Sequence, residues 1–267
     1  MNLQNRSVLV TASTRGIGLA CARACAEHGA EVYLAARSRE RTLDLTEAWR
    51  KEGLRAHWVL FDAARPETCV SMVEETVARA GRLDVLVNNF GASDPARDLD
   101  LAHTDPQVFL DTVVLNLRSV FLASQAAADK MRASGGGSIV NVSSIGGQVP
   151  DVSQIGYGTA KAAINYLTRL IAVQEAHHGI RCNAVLPGMT ATQAVEERLS
   201  GDFRSLFVRH IPLGRMAQPE EIASAVVYFA ADESAYTTGQ LLTVSGGFGL
   251  ATPAWRDLSG LRRDAPR

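Results

Sequence analysis

The chain has 267 residues, enough for one large domain with a substantial buried core or for two small ones. Its net charge of −1 and its hydrophobic fraction of 46% are ordinary for a globular protein, so no overall field attracts nucleic acid or an anionic membrane. The N-terminus lacks the features of a signal peptide, no apolar run reaches the ~18 residues that span a bilayer, and the four cysteines show no C-x-x-C spacing. We therefore expect a cytoplasmic protein with no metal site.

Short β-rich runs alternate with longer amphipathic patterns along the chain. The predicted strands are 7–10, 31–35, 56–61, 83–87, 138–142, 181–186 and 241–244. The predicted helices are about 17–28, 40–52, 66–80, 106–132, 154–177 and 219–231. Repeated β-α units with apolar strands indicate a parallel sheet with helices on both faces. The pattern predicts one doubly wound α/β domain of about seven strands over residues 1–267. An irregular segment at about 190–215 suits a cover over a site, and a polar tail begins at about 249.

The turn after the first predicted strand is rich in small residues, since positions 11–18 read T-A-S-T-R-G-I-G. Gly16 and Gly18 allow close approach of the backbone to a pyrophosphate, and the next helix directs its N–H groups and positive dipole end at it. Tight turns in general use glycine, but the position between a first strand and a first helix favours nucleotide binding in a Rossmann-like fold. The candidate phosphate contacts are Ser13, Thr14, Arg15, Gly16, Ile17 and Gly18.

The end of the second strand indicates which dinucleotide binds. Sites for NAD usually place a carboxylate there, on the ribose 2′-hydroxyl, whereas this chain continues A-A-R-S-R. Arg37 can meet a 2′-phosphate bidentately, and Arg15 can add a second cation. Asp62 and Ala63, after the third strand, are placed for the adenine. Arg37 as a solvated loop arginine and Asp62 as a turn residue are the structural alternatives. The prediction is NADP(H).

Tyr157 and Lys161 are four residues apart and share one side of a predicted helix. Free tyrosine titrates near ~10, and an ammonium close to the phenol oxygen would lower that pKa. Such a tyrosine can take a proton from an alcohol or give one to a carbonyl. A surface tyrosine with a solvated lysine one turn away is the alternative explanation for the pair alone.

Six motifs in order resemble the short-chain dehydrogenase/reductase family over nearly the whole chain. They are Thr11–Gly18, the N-N-F-G run at 88–91, Asn116, Ser144 thirteen residues before Tyr157, the Y-x-x-x-K at 157–161, and the P-G turn at 187–188. Two positions depart from the family pattern. Ala12 replaces the first glycine of the loop, which suggests a slightly altered backbone. Phe90 replaces an alanine, which would put a bulky ring near the floor of the cofactor site.

The resemblance implies a role for each matching residue. Tyr157 would be the acid/base, Lys161 would depress its pKa and bind the nicotinamide ribose, and Ser144 would stabilise the substrate oxygen. Asn116 would hold a water that relays protons from Lys161 to solvent. The remaining cofactor contacts would be Asn89, Gly91, Thr190 and Thr192. Structural explanations remain open: backbone hydrogen bonding for Ser144, a buried structural amide for Asn116 and helix capping for Thr192. Family members are commonly tetramers, so we expect a homo-oligomer.

Several segments, including P-D-V-S-Q-I-G-Y-G at 150–158, are similar to bacterial bile-acid hydroxysteroid dehydrogenases, which favours the 7α-hydroxyl and leaves the 12α-hydroxyl open. A rigid apolar steroid calls for an apolar slot. The candidate slot residues are Val149, Ile155, Met189, Phe203, Leu206 and Phe207, and the candidate rim cations are Arg198, Arg204 and Arg209. A 3-oxoacyl-(acyl carrier protein) or general carbonyl reductase is the enzymatic alternative. A non-catalytic NADP-binding sensor is the alternative of another class.

Overall fold

Seven strands form one parallel sheet in the computed structural model, which describes residues 1–198 and 200–250 and leaves the Arg198 side chain outside the described part. The order across the sheet is β3-β2-β1-β4-β5-β6-β7. The strands are β1 Ser7–Thr11, β2 Glu31–Ala36, β3 Arg55–Leu60, β4 Val85–Asn88, β5 Gly137–Val142, β6 Ile180–Pro187 and β7 Leu241–Val244. The predicted doubly wound α/β class and the seven strands are confirmed.

Eight described helices cover the sheet. They are α1 Gly16–Glu27, α2 Arg39–Lys51, α3 Pro66–Ala80, α4 Pro106–Ala133, α5 Ile155–Glu175, α6 Gln193–Arg198, α7 Gly201–Val208 and α8 Pro219–Ala230. Short 3-10 turns lie at Ile145–Gly147, Ala176–His178 and Asp232–Ser234. Helices α1, α2 and α8 pack on one face, and α3, α4 and α5 pack on the other.

The central strands are apolar on both sides because both faces of the sheet are covered. Val8 and Val10 point into the core under α1 and α8, whereas Leu9 between them points into the core under α3 and α4. All three side chains are completely buried. A parallel sheet with helices on both faces requires such continuous apolar runs, which explains why the strands were recognisable in the sequence.

The chain reverses its direction of winding beside β1. Val10 of β1 pairs with Leu34 of β2 on one side and with Val87 of β4 on the other. The connections from β1 and β4 therefore run to opposite faces, and a crevice opens at the carboxyl ends of these two strands. This switch point is where the sequence places the glycine-rich loop.

The segment predicted to be irregular, at about 190–215, contains two short helices. Ser200 caps α7 by accepting a hydrogen bond from the Phe203 N–H at 3.2 Å. Neither helix exceeds eight residues, which explains why periodicity did not reveal them. The predicted tail from 251 onward lies outside the described residues.

Among the described helices, α4 is long and apolar enough to cross a membrane by length and composition. Its sequence carries Asp111 and Arg118, so the apolar stretch is not continuous. In the fold the helix packs against α3, α5 and the sheet, with Val120, Ala123 and Ala127 buried. A core helix of this length satisfies the same criterion as a membrane span.

Candidate active site

A cleft of about 1270 Å³ opens at the carboxyl ends of the strands and extends from the start of α2 to α7. It brings together nearly all the residues that the sequence singled out. The predicted residues that line it are Thr14, Arg15, Gly16, Ile17, Gly18, Arg37, Asp62, Ala63, Asn89, Gly91, Ser144, Tyr157, Lys161, Thr190 and Thr192. Ser13 and Asn116 do not line the cleft, and both are completely buried beside it.

The loops after β1 and β4 are tied together across the switch point. The Thr11 hydroxyl accepts hydrogen bonds from the backbone N–H groups of Asn89 at 2.8 Å and Phe90 at 3.1 Å. The Asn89 amide donates to the carbonyl oxygens of Thr11 at 3.1 Å and Ala12 at 3.3 Å. A Cβ at Gly18 would overlap that amide and the Ala12 carbonyl, so close packing requires this glycine.

The far end of the cleft is basic. Arg37 is exposed after β2, and Ser38 accepts from the Arg41 N–H at 3.4 Å as the N-cap of α2. Arg41 also lines the cleft, so the first turn of α2 supplies a cation that the sequence reasoning missed. The sequence signal for Arg41 was its position in the first turn of a helix, shortly after the arginine that follows β2. Asp62 lies nearby, and its Oδ1 accepts from the Ala64 N–H at 3.1 Å, as in a turn.

Tyr157, Lys161 and Ser144 converge at the centre of the cleft. The Lys161 Nζ is 5.5 Å from the centroid of the Tyr157 ring and donates to the Val142 carbonyl oxygen at 3.0 Å. Lys161 is only 2% exposed, and burial lowers its pKa from 10.5 to about 8. The Ser144 side chain acts on the Tyr157 phenol and lowers its pKa. The three groups are thus arranged around one wall of the cleft.

The lowering of the Tyr157 pKa by Lys161 stays a prediction, because in this structure burial and Ser144 are what shift that pKa. Burial raises the pKa of Tyr157 above 10, and the Ser144 side chain opposes that rise. The Lys161 ammonium donates to a backbone carbonyl and lies over the tyrosine ring. Spacing along a helix predicted the neighbourhood of the two side chains but not the direction of the ammonium.

Asn116 holds the backbone beside the lysine. Its amide nitrogen donates to the carbonyl oxygens of Ala92 at 2.7 Å and Thr112 at 2.8 Å, and its Oδ1 accepts from the Ala92 N–H at 2.9 Å. Both amide N–H groups are therefore used within the protein. The observed contacts match the structural explanation for this residue, and its part in a proton relay stays a prediction.

Comparison with known proteins places these features in a family. A family model described as enoyl-(acyl carrier protein) reductase matches residues 11–249. A 7α-hydroxysteroid dehydrogenase of Clostridium sardiniense is 47% identical over 96% of this chain and 97% of its own length. One from Paraclostridium sordellii is 43% identical over 97% of both chains. The chain belongs to the short-chain dehydrogenase/reductase family.

A solved structure from this family agrees with the fold. It is a 7α-hydroxysteroid dehydrogenase complexed with NADH and 7-oxo-glycochenodeoxycholic acid, and it superposes with a TM-score of 0.87 at 27% identity. The superposition covers 92% of this chain and 95% of that one. As a short-chain dehydrogenase/reductase, the protein is an oxidoreductase that acts on alcohol groups and uses a nicotinamide cofactor.

The residues of the phosphate loop fit the pyrophosphate of such a cofactor. Helix α1 begins after Arg15 with no side chain capping its first turn, so its N-terminal N–H groups face the cleft. Gly16 has φ +53°, a left-handed conformation that suits glycine. The Ser13 hydroxyl is buried and has no hydrogen-bond partner in the described part of the chain. Thr192 lines the opposite side and also caps α6, accepting from the Val195 N–H at 3.3 Å.

The two departures from the family pattern have different consequences. Ala12 adopts φ +52°, the left-handed conformation that glycine would take without strain, which costs roughly 1 kcal/mol. Phe90 lines the cleft, as predicted, and its ring meets Phe61 edge to face at 5.7 Å between centroids. The bulky ring is therefore accommodated by an aromatic neighbour in the wall of the cofactor cleft.

The other end of the cleft is largely apolar. Val149, Ile155, Met189 and Phe207 of the predicted slot line it, and so does Phe248, which stacks on Phe207 at 4.7 Å between centroids. The other two predicted slot residues, Phe203 and Leu206, do not line the cleft and are about half exposed. Of the predicted rim cations, Arg204 and Arg209 do not line the cleft either. The Arg198 side chain lies outside the described part.

One buried carboxylate close to Tyr157 was missed entirely. Asp98 is completely buried and accepts hydrogen bonds from the backbone N–H groups of Gly156 and Tyr157. It is separated from them by nearly sixty residues, and it belongs to no motif. The sequence therefore contained no signal for this contact.

Replacing Lys161 by methionine should stabilise the fold at pH 7 by about 2 kcal/mol, because the buried wild-type side chain is charged at that pH. Between pH 8 and 10.5 the unfolded lysine keeps a proton that the folded lysine has released, so wild-type stability rises relative to the variant across this window. Urea denaturation at pH 7 and near pH 10 would measure the difference. Lys130→Met is the exposed control, and a Lys161→Met gain that is equal at both pH values would contradict the prediction.

Proposed function

We propose that the protein is an NADP-dependent hydroxysteroid dehydrogenase that interconverts a secondary alcohol and a ketone on a bile acid, with the 7α-hydroxyl favoured over the 12α. The observation that carries the proposal is the similarity, over almost the full length, to two 7α-hydroxysteroid dehydrogenases. The apolar end of the cleft, next to Tyr157, supports it because a steroid nucleus is rigid and apolar.

Three side chains, those of Ser144, Tyr157 and Lys161, each have a separate role in the proposed reaction. The nicotinamide cofactor, when bound, supplies the hydride acceptor or donor. Ser144 hydrogen-bonds the reacting oxygen and stabilises the charge that develops on it. Tyr157 exchanges the proton of that oxygen, and Lys161 binds the cofactor ribose beside it. Because burial raises the pKa of Tyr157, the phenol keeps its proton at neutral pH and can donate it to a ketone.

Tyr157→Phe should bind NADPH as tightly as the wild type and lose turnover by about 1000-fold or more, because the proton donor is gone while the ring remains. Cofactor binding would be measured by NADPH fluorescence and turnover by absorbance at 340 nm. Tyr236→Phe is the matched control, since Tyr236 is fully exposed and does not line the cleft. Turnover by Tyr157→Phe near the wild-type rate would overturn the acid/base assignment.

The basic end of the cleft supports NADP as the cofactor. Arg15, Arg37 and Arg41 line the cleft where a ribose 2′-phosphate would lie after β2. No residue from Ala36 to Arg39 is acidic, so the usual acceptor for a free 2′-hydroxyl is absent from the end of that strand. Guanidinium groups match phosphate in both charge and geometry.

Arg37→Ala should raise the KM for NADP by about 10-fold or more and leave the KM for NAD nearly unchanged, because the guanidinium would contact only the 2′-phosphate. Arg39→Ala is the control, since Arg39 lies over the Trp58 ring and does not line the cleft. Steady-state kinetics with both cofactors would decide. An equal rise in both KM values would contradict recognition of the 2′-phosphate.

Three bile acids separate the possible substrates. Chenodeoxycholate carries a 7α- but no 12α-hydroxyl, deoxycholate has the reverse pattern, and cholate carries both. We expect reduction of NADP with cholate and chenodeoxycholate but not with deoxycholate, and a 7-oxo product identified by mass spectrometry and NMR. Activity on deoxycholate would move the assignment to the 12α position. Turnover of acetoacetyl esters with none of the three bile acids would favour an acyl or general carbonyl reductase.

Two further parts of the proposal concern assembly and location. Large apolar side chains are exposed on the outer faces of α4 and α5, namely Leu110, Val114, Phe121, Tyr166, Leu170 and Val173. Such a surface suits a homo-oligomer, with a tetramer favoured, and a monomer by sedimentation velocity would contradict this. The four buried free cysteines are compatible with the reducing cytoplasm, where we place the protein.

A further inference from the structure

The helix that carries Tyr157 and Lys161 begins without a cap of its own. Gln154, the N-cap residue of α5, has φ +58° and makes no side-chain cap hydrogen bond. A non-glycine residue in this left-handed conformation is strained, and the Gln154 side chain offers the first turn no acceptor. The N–H groups at the start of α5 must therefore find acceptors elsewhere in the fold.

Asp98 and Leu99 provide those acceptors from the connection between β4 and α4. The Asp98 Oδ1 accepts from the Gly156 N–H at 2.8 Å, and its Oδ2 accepts from the Tyr157 N–H at 2.9 Å. The Asp98 carbonyl oxygen accepts from the Gln154 N–H, and the Leu99 carbonyl oxygen accepts from the Ile155 N–H, both at 3.1 Å. Four consecutive N–H groups are bound by two residues that are distant in sequence.

The Asp98 carboxylate is completely buried. Within the described residues, 1–198 and 200–250, it forms no ion pair. Besides the two backbone N–H groups, it accepts a hydrogen bond from the Ser93 hydroxyl at 3.3 Å. A buried carboxylate without a cation is stabilised by such donors and by the positive end of a helix dipole. Its location is therefore explained by α5 and not by a counter-ion.

The segment that carries Asp98 also touches the other groups of the active site. Asn116 binds both the N–H and the carbonyl of Ala92, at the start of this segment. A Cβ on Gly91 would come within 3.0 Å of the Lys161 Nζ. The segment from 91 to 98 thus lies beside Lys161 at one end and binds the Tyr157 backbone at the other.

From these contacts we infer that Asp98 is a positioning residue for Tyr157. Its two carboxylate oxygens hold the first turn of α5 so that the Tyr157 phenol meets the Ser144 hydroxyl and the reacting oxygen. The inference rests on the proposed acid/base role of Tyr157. Misplacement of a reacting group by about 1 Å can cost roughly 100-fold in rate, so a residue that holds this turn affects the chemical step directly.

Asp98→Asn keeps the size of the side chain but puts an N–H group where one of the two backbone N–H groups needs an acceptor. We expect kcat per titrated active site to fall by about 10-fold to 100-fold, with the Kd for NADPH unchanged. The primary deuterium isotope effect on kcat with 7-deuterated chenodeoxycholate should rise, because slower chemistry becomes rate-limiting. A merely structural loss would reduce the number of active sites but leave kcat per site and the isotope effect unchanged.

Asp105→Asn is the matched control. Asp105 caps α4 in the ordinary way by accepting from the Gln107 N–H at 2.8 Å, and it touches none of the active-site groups. Its replacement should lower the melting temperature without changing kcat or the isotope effect. If Asp98→Asn behaves like Asp105→Asn while Tyr157→Phe is inactive, the positioning role is overturned and the acid/base role stands. An active Tyr157→Phe overturns the acid/base role itself.

A second variant covers the case in which Asp98→Asn gives no folded protein. Ser93→Ala removes the hydroxyl group that donates to Asp98 and leaves the two backbone contacts in place. We expect a smaller fall in kcat, about twofold to fivefold, with a larger isotope effect and unchanged binding of NADPH. An unchanged kcat and isotope effect for Ser93→Ala would then overturn the proposal.

Discussion

The hydrogen bonds between Thr11 and Asn89 hold the cleft together. Winding of the chain to opposite faces of the sheet separates the loops after β1 and β4, and these contacts rejoin them at the carboxyl ends of the strands. Both loops that meet at this junction line the cleft. The close approach of Gly18 to Asn89 depends on the junction, and so does the course of the chain through Gly91 toward Lys161.

Burial at the centre of the cleft has opposite effects on the two titrating groups. It lowers the pKa of Lys161 to about 8 and raises the pKa of Tyr157, because in each case the charged form loses its hydration. The Lys161 ammonium donates a hydrogen bond to the Val142 carbonyl oxygen at 3.0 Å. Buried ionisable groups with shifted pKa values are common at catalytic centres.

The polar interior under the site adds rigidity to the elements that carry the catalytic groups. Asn88 of β4 donates to Asn141 of β5 at 2.9 Å, and Asn141 donates to Thr168 of α5 at 2.9 Å. These side chains are buried and bonded to one another, so α5 is anchored to the sheet by directional contacts as well as by apolar packing. With Asp98 at its N-terminus, α5 is held at two points along its length.

The sequence by itself determined the sheet, the six longer helices and most of the cleft, because apolar strands, helix periodicity and a glycine-rich turn are local patterns. Ser144 was recognisable only through the family resemblance, and the four-residue spacing of Tyr157 and Lys161 gained its chemical meaning from that resemblance. Only the tertiary structure decided the rest. Contacts between distant segments direct the Lys161 ammonium to Val142, commit the Asn116 amide to Ala92 and bring Asp98 to the first turn of α5. Such contacts depend on how separate elements pack against each other, and the periodicity of the sequence does not predict that packing.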